Sequence, residues 1–160
     1  MTESQSRRIA ISVEYDGTGY RGWQEQRHDV RSVQAVVQNA ISKIADEPIH
    51  LICAGRTDSG VHASSQVCHF DTHAIRDSYN WVMGTNTELP KDVSLCWAHD
   101  VAKEFHARFL ATSRQYVYLI RCSSFRSALL TNTTTFTSKK LEKHRMAEAG
   151  AHLLGSHNFN

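Results

Sequence analysis

Between residues 8 and 15 the chain sets Ile9, Ile11 and Val13 two apart, with smaller or polar side chains between them. Period two marks a strand with one buried face, so the first ordered segment is committed to a sheet. The pattern then changes. Ser32 stands where an N-cap belongs, and Val33, Val36, Val37, Ala40, Ile41 and Ile44 recur at helical spacing, giving one apolar face. Strands are expected over 49–54 and 66–70, then a helix over 76–83 ending near Gly84, a turn at "ELPKD", and a strand through Val93, Leu95 and Trp97. The run "RQYVYLIRC" (114–122) is the clearest strand of all, rich in aromatic and β-branched residues. "TNTTTFTS" (131–138) suits an edge strand or a loop, and 139–154 a helix with Met146, Ala149, Gly150, Leu153 and Leu154 on one face, stopped by Gly155.

This uneven alternation predicts an α+β fold, an antiparallel sheet with helices packed on one face. The expected organisation is a disordered N-terminus over 1–7, an α+β domain over 8–110, and the start of a second, incomplete α+β domain over 111–160. The chain stops at "GSHNFN", just past a helix cap, which reads as an interruption.

With 160 residues, 41% of them hydrophobic, the chain can bury a core. No apolar run approaches the roughly 20 residues that span a bilayer, and the polar start "MTESQSRR" lacks the apolar centre of a signal peptide. Cys53, Cys68, Cys96 and Cys122 never form C-x-x-C, and they read as reduced core thiols of a cytoplasmic protein. Charge is divided along the chain. Residues 1–100 hold 9 Lys+Arg against 13 Asp+Glu, a net of −4, whereas residues 101–160 hold 9 against 3, a net of +6. A basic second portion suits either a phosphate backbone or a solvated face.

Three stretches can carry chemistry. In "LICAGRTDSGVHA" (51–63) an apolar run opens into a loop in which Arg56 and Asp58, two apart, share a face if the backbone is extended. Gly55 and Gly60 permit tight turns and close approach by a ligand. Arg56 can hold Asp58 ionised or grip a phosphate, and the plainer reading is a turn with a local ion pair. In "EFHARF" (104–109) an extended backbone would turn Phe105, Ala107 and Phe109 one way, and His106 and Arg108 the other. In 114–122, Arg114, Tyr116, Tyr118 and Ile120 would share one strand face, either as a platform for a nucleobase or as core packing. His62, His69 and His73 are irregularly spaced with nothing to complete a metal set, so no metal is expected. "YDGTGYRGW" lacks the lysine and the strand–helix context of a P-loop. A glycoside hydrolase would need a second carboxylate near Asp58, and none stands near the motifs.

In order, "EYDGTGYRGWQEQ", "SVQ" opening a helix, "AGRTDSGVHA" leading to "QVCHF", "LPKDV", "FHARF" and "RQYVYLI" resemble the TruA-type tRNA pseudouridine synthases. The resemblance runs from about residue 8 to residue 159 and covers the N-terminal portion of such an enzyme. It implies a pseudouridine synthase fold and isomerisation of uridine in the tRNA anticodon stem-loop, classically at tRNA positions 38, 39 and 40, without a cofactor or metal. It also implies a homodimer whose cleft spans both subunits. By the same resemblance Asp58 is the catalytic aspartate, Tyr116 stacks on the target uracil with Arg114 two residues before it, and Arg56 takes the place of the extruded nucleotide. Arg108 and His106 would lie along the RNA cleft, with Arg21 as a further phosphate contact. Family members run about half as long again, and their C-terminal portion supplies a basic partner for the aspartate and an apolar wall for the uracil. "LLTNTTTFTSKK" is more polar than the family's strand there, and Asn158 stands where an aspartate is common. The alternative is a catalytically incomplete chain that binds tRNA or only folds.

Overall fold

The computed structural model describes residues 6–26 and 30–158. It divides into one unit ending at Arg114 and another beginning at Gln115. The disorder expected over 1–7 meets a strand that starts at Arg7, and residues 1–5 lie outside the described residues.

The first unit is built on β1 (Arg7–Tyr15), α1 (Val33–Ala45), β2 (Ile52–Cys53), β3 (Ala63–Thr72), α2 (Ser78–Glu88) and β4 (Val93–Val101). The four strands form one antiparallel sheet in the order β2-β3-β1-β4. The alternation of β1 does what period two requires: Ile9, Ile11 and Val13 are fully buried, as is Cys68, the partner of Ile11 on β3. They join Val33, Val37 and Ile41 of α1 and Trp81 of α2 in one core, so helices cover one face of the sheet. Trp81 meets Phe70 edge-on, with ring centroids 5.3 Å apart. Ser32 caps α1 by accepting the Ala35 N–H.

Two expectations for this unit change. α2 runs through Gly84 to Glu88, because Gly84 faces Ile44 of α1, where an added Cβ would lie 3.3 Å from the isoleucine Cδ1. The glycine serves helix approach instead of termination. The strand expected over 49–54 shrinks to two residues, since α1 side chains take the neighbouring backbone groups. Ser42 accepts the Ile49 N–H, Gln38 accepts the Leu51 N–H, and Gln34 donates to the Leu51 carbonyl.

The second unit contains β5 (Ile120–Cys122), β6 (Thr135–Thr137) and α3 (Lys143–Ala151). β5 and β6 pair in parallel, and β6 lies in the threonine-rich stretch. The long strand expected over 114–122 is therefore only three residues. A ladder needs a partner, and among the described residues the ladder with β6 begins only at Ile120, with the Thr135 N–H reaching back to the Leu119 carbonyl at 2.9 Å. Tyr116, Val117 and Tyr118 stand 72–76% exposed, so they form neither a shared strand face nor core packing. α3 likewise buries no residue and ends before Gly155, whose φ is 102°. No helix among the described residues is long and apolar enough to cross a membrane.

Two groups in the first unit yield tests. Glu47, just past α1, accepts from the Thr72 hydroxyl and from the His73 N–H (2.7 Å). Those bonds, the hydroxyl's first, hold its carboxyl below the ordinary 4.5, at about 2. The stabilisation is complete above the ordinary carboxylate range and is lost as pH falls from about 4.5 toward 2. Glu47→Gln is expected to cost about 1–2 kcal/mol at pH 7 and much less near pH 2, read by urea unfolding at both pH values. Thr85 of α2 is fully buried, with no partner for its hydroxyl among the described residues. Thr85→Val, equal in shape, is expected to raise stability by about 1 kcal/mol, and a lowered thermal midpoint would contradict that account.

Candidate active site

The loop at residues 55–60 leaves the end of β2 and returns into β3, and it is fastened on every side by polar contacts. Tyr15, the last residue of β1 and 3% exposed, places its hydroxyl 2.8 Å from Thr57 Oγ1. Gln66 of β3 donates to the Gly55 carbonyl, and the Trp23 N–H donates to the Thr57 carbonyl at 2.9 Å. The Tyr20 carbonyl accepts from Ser59 Oγ at 3.1 Å and from the Gly60 N–H at 3.3 Å. The Val61 N–H closes a turn on the Asp58 carbonyl, with Gly60 at φ 80°. Opposite lies the segment 16–23, and there Gly17 is obligatory: a Cβ would fall 2.0 Å from the Val61 carbonyl oxygen.

That segment is itself held from behind. Asp92, in the turn before β4, accepts the Tyr20 hydroxyl at 2.8 Å, and its two carboxylate oxygens share the Arg31 Nη2 donor at 2.9 and 3.1 Å. Its carbonyl accepts the Asp16 N–H, and the Arg31 guanidinium lies 4.2 Å over the Tyr20 ring. Burial, and then the Asp92 carboxylate, push the Tyr20 phenol up. Asp16 and His62 meet at 3.0 Å beside the same segment. Tyr15, Tyr20, Arg31, Gln66 and Asp92 were not legible as a group. They come from four separate parts of the chain, and although all but Arg31 fall inside stretches that sequence reading singles out, nothing local links them.

Within this frame Asp58 and Arg56 are exposed. No ion pair joins them among the described residues, and no described side chain pairs with the Asp58 carboxylate. The local pair that their spacing allows is not formed. Arg108 and Arg114 converge on the same strand end. Arg114 donates to the Ala54 carbonyl at 2.6 Å and to the Arg108 carbonyl at 3.3 Å. Burial pushes the Cys53 thiol up, while the charges of Arg56 and Arg108 pull it back, so both guanidiniums are felt at the end of β2. Three arginines thus gather at the end of β2, the strand that leads to Asp58, with no acidic partner among the described residues. Arg21, in the segment 16–23, is exposed and donates its N–H to the Arg31 carbonyl.

The stretch 104–109 is a turn and not an extended segment. His106 Nδ1 accepts the Arg108 and Phe109 N–H groups at 3.3 and 3.2 Å, which caps the turn and forbids alternation. Phe105 lies edge-on to His69, Ala107 is buried, and Phe109 is 74% exposed, stacked on His106. The shared face of Phe105, Ala107 and Phe109 does not exist. Tyr116 belongs to the second unit. Among the described residues no group of three His, Cys, Asp or Glu is spaced to hold a metal ion. The arrangement offers one free carboxylate on a rigid loop, able to serve as a base or nucleophile, with cations ready for an anionic substrate.

A family model described as tRNA pseudouridine synthase matches residues 11–110. The chain is 49% identical over 153 residues to a tRNA pseudouridine synthase A of Mannheimia succiniciproducens, covering 96% of this chain and 58% of that relative. It is also 49% identical to proteins of that name from Acinetobacter baumannii and Vibrio cholerae, in each case over 95% of this chain and 57% of the relative. The chain therefore spans somewhat more than half the length of these relatives. A match to the family model over most of the first unit, and through the loop that carries Asp58, means that this chain belongs to the tRNA pseudouridine synthase family.

Proposed function

We propose that this protein isomerises uridine to pseudouridine in the anticodon stem-loop of tRNA, at positions 38, 39 or 40, with Asp58 as the essential carboxylate. The observation that carries the reading is an exposed Asp58 on a braced loop, with no side-chain partner among the described residues, at the end of a strand where Arg56, Arg108 and Arg114 gather without acidic partners among those residues. Guanidiniums left without carboxylates favour phosphate as their counter-ion. In this reading Arg56 fills the space of the extruded nucleotide, and Tyr116 stacks on its base. Arg114, Arg108, His106 and Arg21 hold the backbone.

The reaction breaks the N1–C1′ bond, turns the uracil and forms a C5–C1′ bond. The proton on C5 passes to solvent, and N1 gains one. Asp58 serves either by attacking a carbon to form a covalent adduct or by removing the C2′ proton to give a glycal. Neither route needs a cofactor. The protein works in the cytoplasm as a homodimer, a reading that rests on the family's motifs.

The test is tritium release from tRNA labelled at uracil C5. The chain is expected to release tritium, and Asp58→Asn to do so at least about 10³-fold more slowly. Equal release from both would remove Asp58 from the chemistry. Binding of tRNA without release from the unsubstituted chain would instead support an RNA-binding part of an enzyme, in keeping with its 58% coverage of the longer relative.

A further inference from the structure

The sheet face away from the helices carries one buried imidazole that the proposed chemistry leaves unused. His69 lies in the middle of β3, opposite Ala10 of β1 and Ile52 of β2. Its neighbours Cys68 and Phe70 belong to the helix-covered core, so by alternation His69 faces the other way. It is nonetheless only 1% exposed, because the turn at 104–109 lies over it. The Ala107 N–H donates to its Nδ1 at 3.1 Å, so Nδ1 carries no proton and the ring is neutral, with its hydrogen on Nε2. The groups around the ring agree. Phe105 meets it edge-on at 5.9 Å and His106 at 4.8 Å, with Arg8 and Asp71 as the nearby charges. Burial, followed by the Arg8 and His106 charges, lowers its pKa to about 4.

The turn is tied to the sheet through its backbone at three points. Arg8, whose other arm forks onto Asp71, donates to the Lys103 and Phe105 carbonyls at 2.5 and 2.8 Å. His69 supplies the third tie, one residue before Arg108. From there the contacts continue to the site: the Arg108 carbonyl accepts from Arg114, which also holds the Ala54 carbonyl at the strand end leading to Arg56 and Asp58.

We propose that His69 is a positioning residue for the arginine cluster, setting Arg108, and through it Arg114, by accepting the Ala107 N–H. The inference deepens the proposed function, since that reading makes RNA what the cluster grips, but the geometry is testable without RNA.

Two amide substitutions separate the role from mere packing. His69→Asn sets an oxygen close to where Nδ1 stood, whereas His69→Gln carries its oxygen one carbon farther and misses Ala107. Hydrogen exchange of the Ala107 N–H and the Arg114 Nε–H, followed by NMR, is expected to quicken about tenfold or more in His69→Gln and to stay within about threefold in His69→Asn. Affinity for an anticodon stem-loop RNA is expected to fall about fivefold or more in His69→Gln alone. A purely structural role would lower the thermal midpoint of both variants and slow neither's exchange relative to the other. Unchanged Arg114 exchange in His69→Gln would overturn the proposal. If exchange separates the variants but the unsubstituted chain does not bind the RNA, the positioning role stands and the proposed function fails.

Discussion

β1 lies between β3 and β4, and ladders on both sides commit Ile9, Ile11, Val13 and Tyr15 to a single face. A strand hydrogen-bonded on both edges cannot rotate to expose that face without breaking both ladders, and the apolar side chains give it reason not to. α1 and α2 pack where those residues point. The end of β1 then places Tyr15 beneath Thr57, so the position of the candidate site follows from the register of a strand that contributes no residue to the chemistry.

Around Asp58 the architecture is polar where the core is apolar. The loop has little side-chain volume to bury, and directed bonds from Tyr15, Gln66, Trp23 and Tyr20 locate it. Behind them Asp92 ties Tyr20 and Arg31 to the start of β4. Such bonds are individually modest, yet each would be costly to leave unmade in a half-buried place. Together they leave one carboxylate exposed on a loop that has few ways to move. A rigid loop carrying a free reactive group is what catalysis by positioning requires.

The second unit shows the opposite balance. From Gln115 to Asn158 no residue is buried, and Tyr116, Phe125, Leu129 and Leu154 stand largely in water. Two three-residue strands in parallel supply few ladder bonds, and such a pair is marginal by itself. Local propensity is strongest here and has least effect, since aromatic and β-branched residues favour a strand only once a partner strand and a covered face exist.

The sequence by itself determined the elements whose signals are local. These are the alternation that made β1, the Ser32 cap and apolar stripe of α1, and the α+β class. The loop bracketed by Gly55 and Gly60 also belongs with them, because Gly60 takes a positive φ and Gly17 of the facing segment leaves no room for a side chain. The motif order likewise sufficed for the family. Tertiary structure alone decided where backbone groups found their partners: α1 side chains shortened β2, His106 curled 104–109 into a turn, and Gly84 became a helix contact. It also gathered Arg56, Arg108 and Arg114 around one strand end and set Asp92 behind Tyr20. Hydrogen bonds between residues 72 positions apart, as Tyr20 and Asp92 are, or 97 apart, as Arg8 and Phe105 are, leave no period or propensity in the chain, because their geometry exists only once the sheet has brought the partners together.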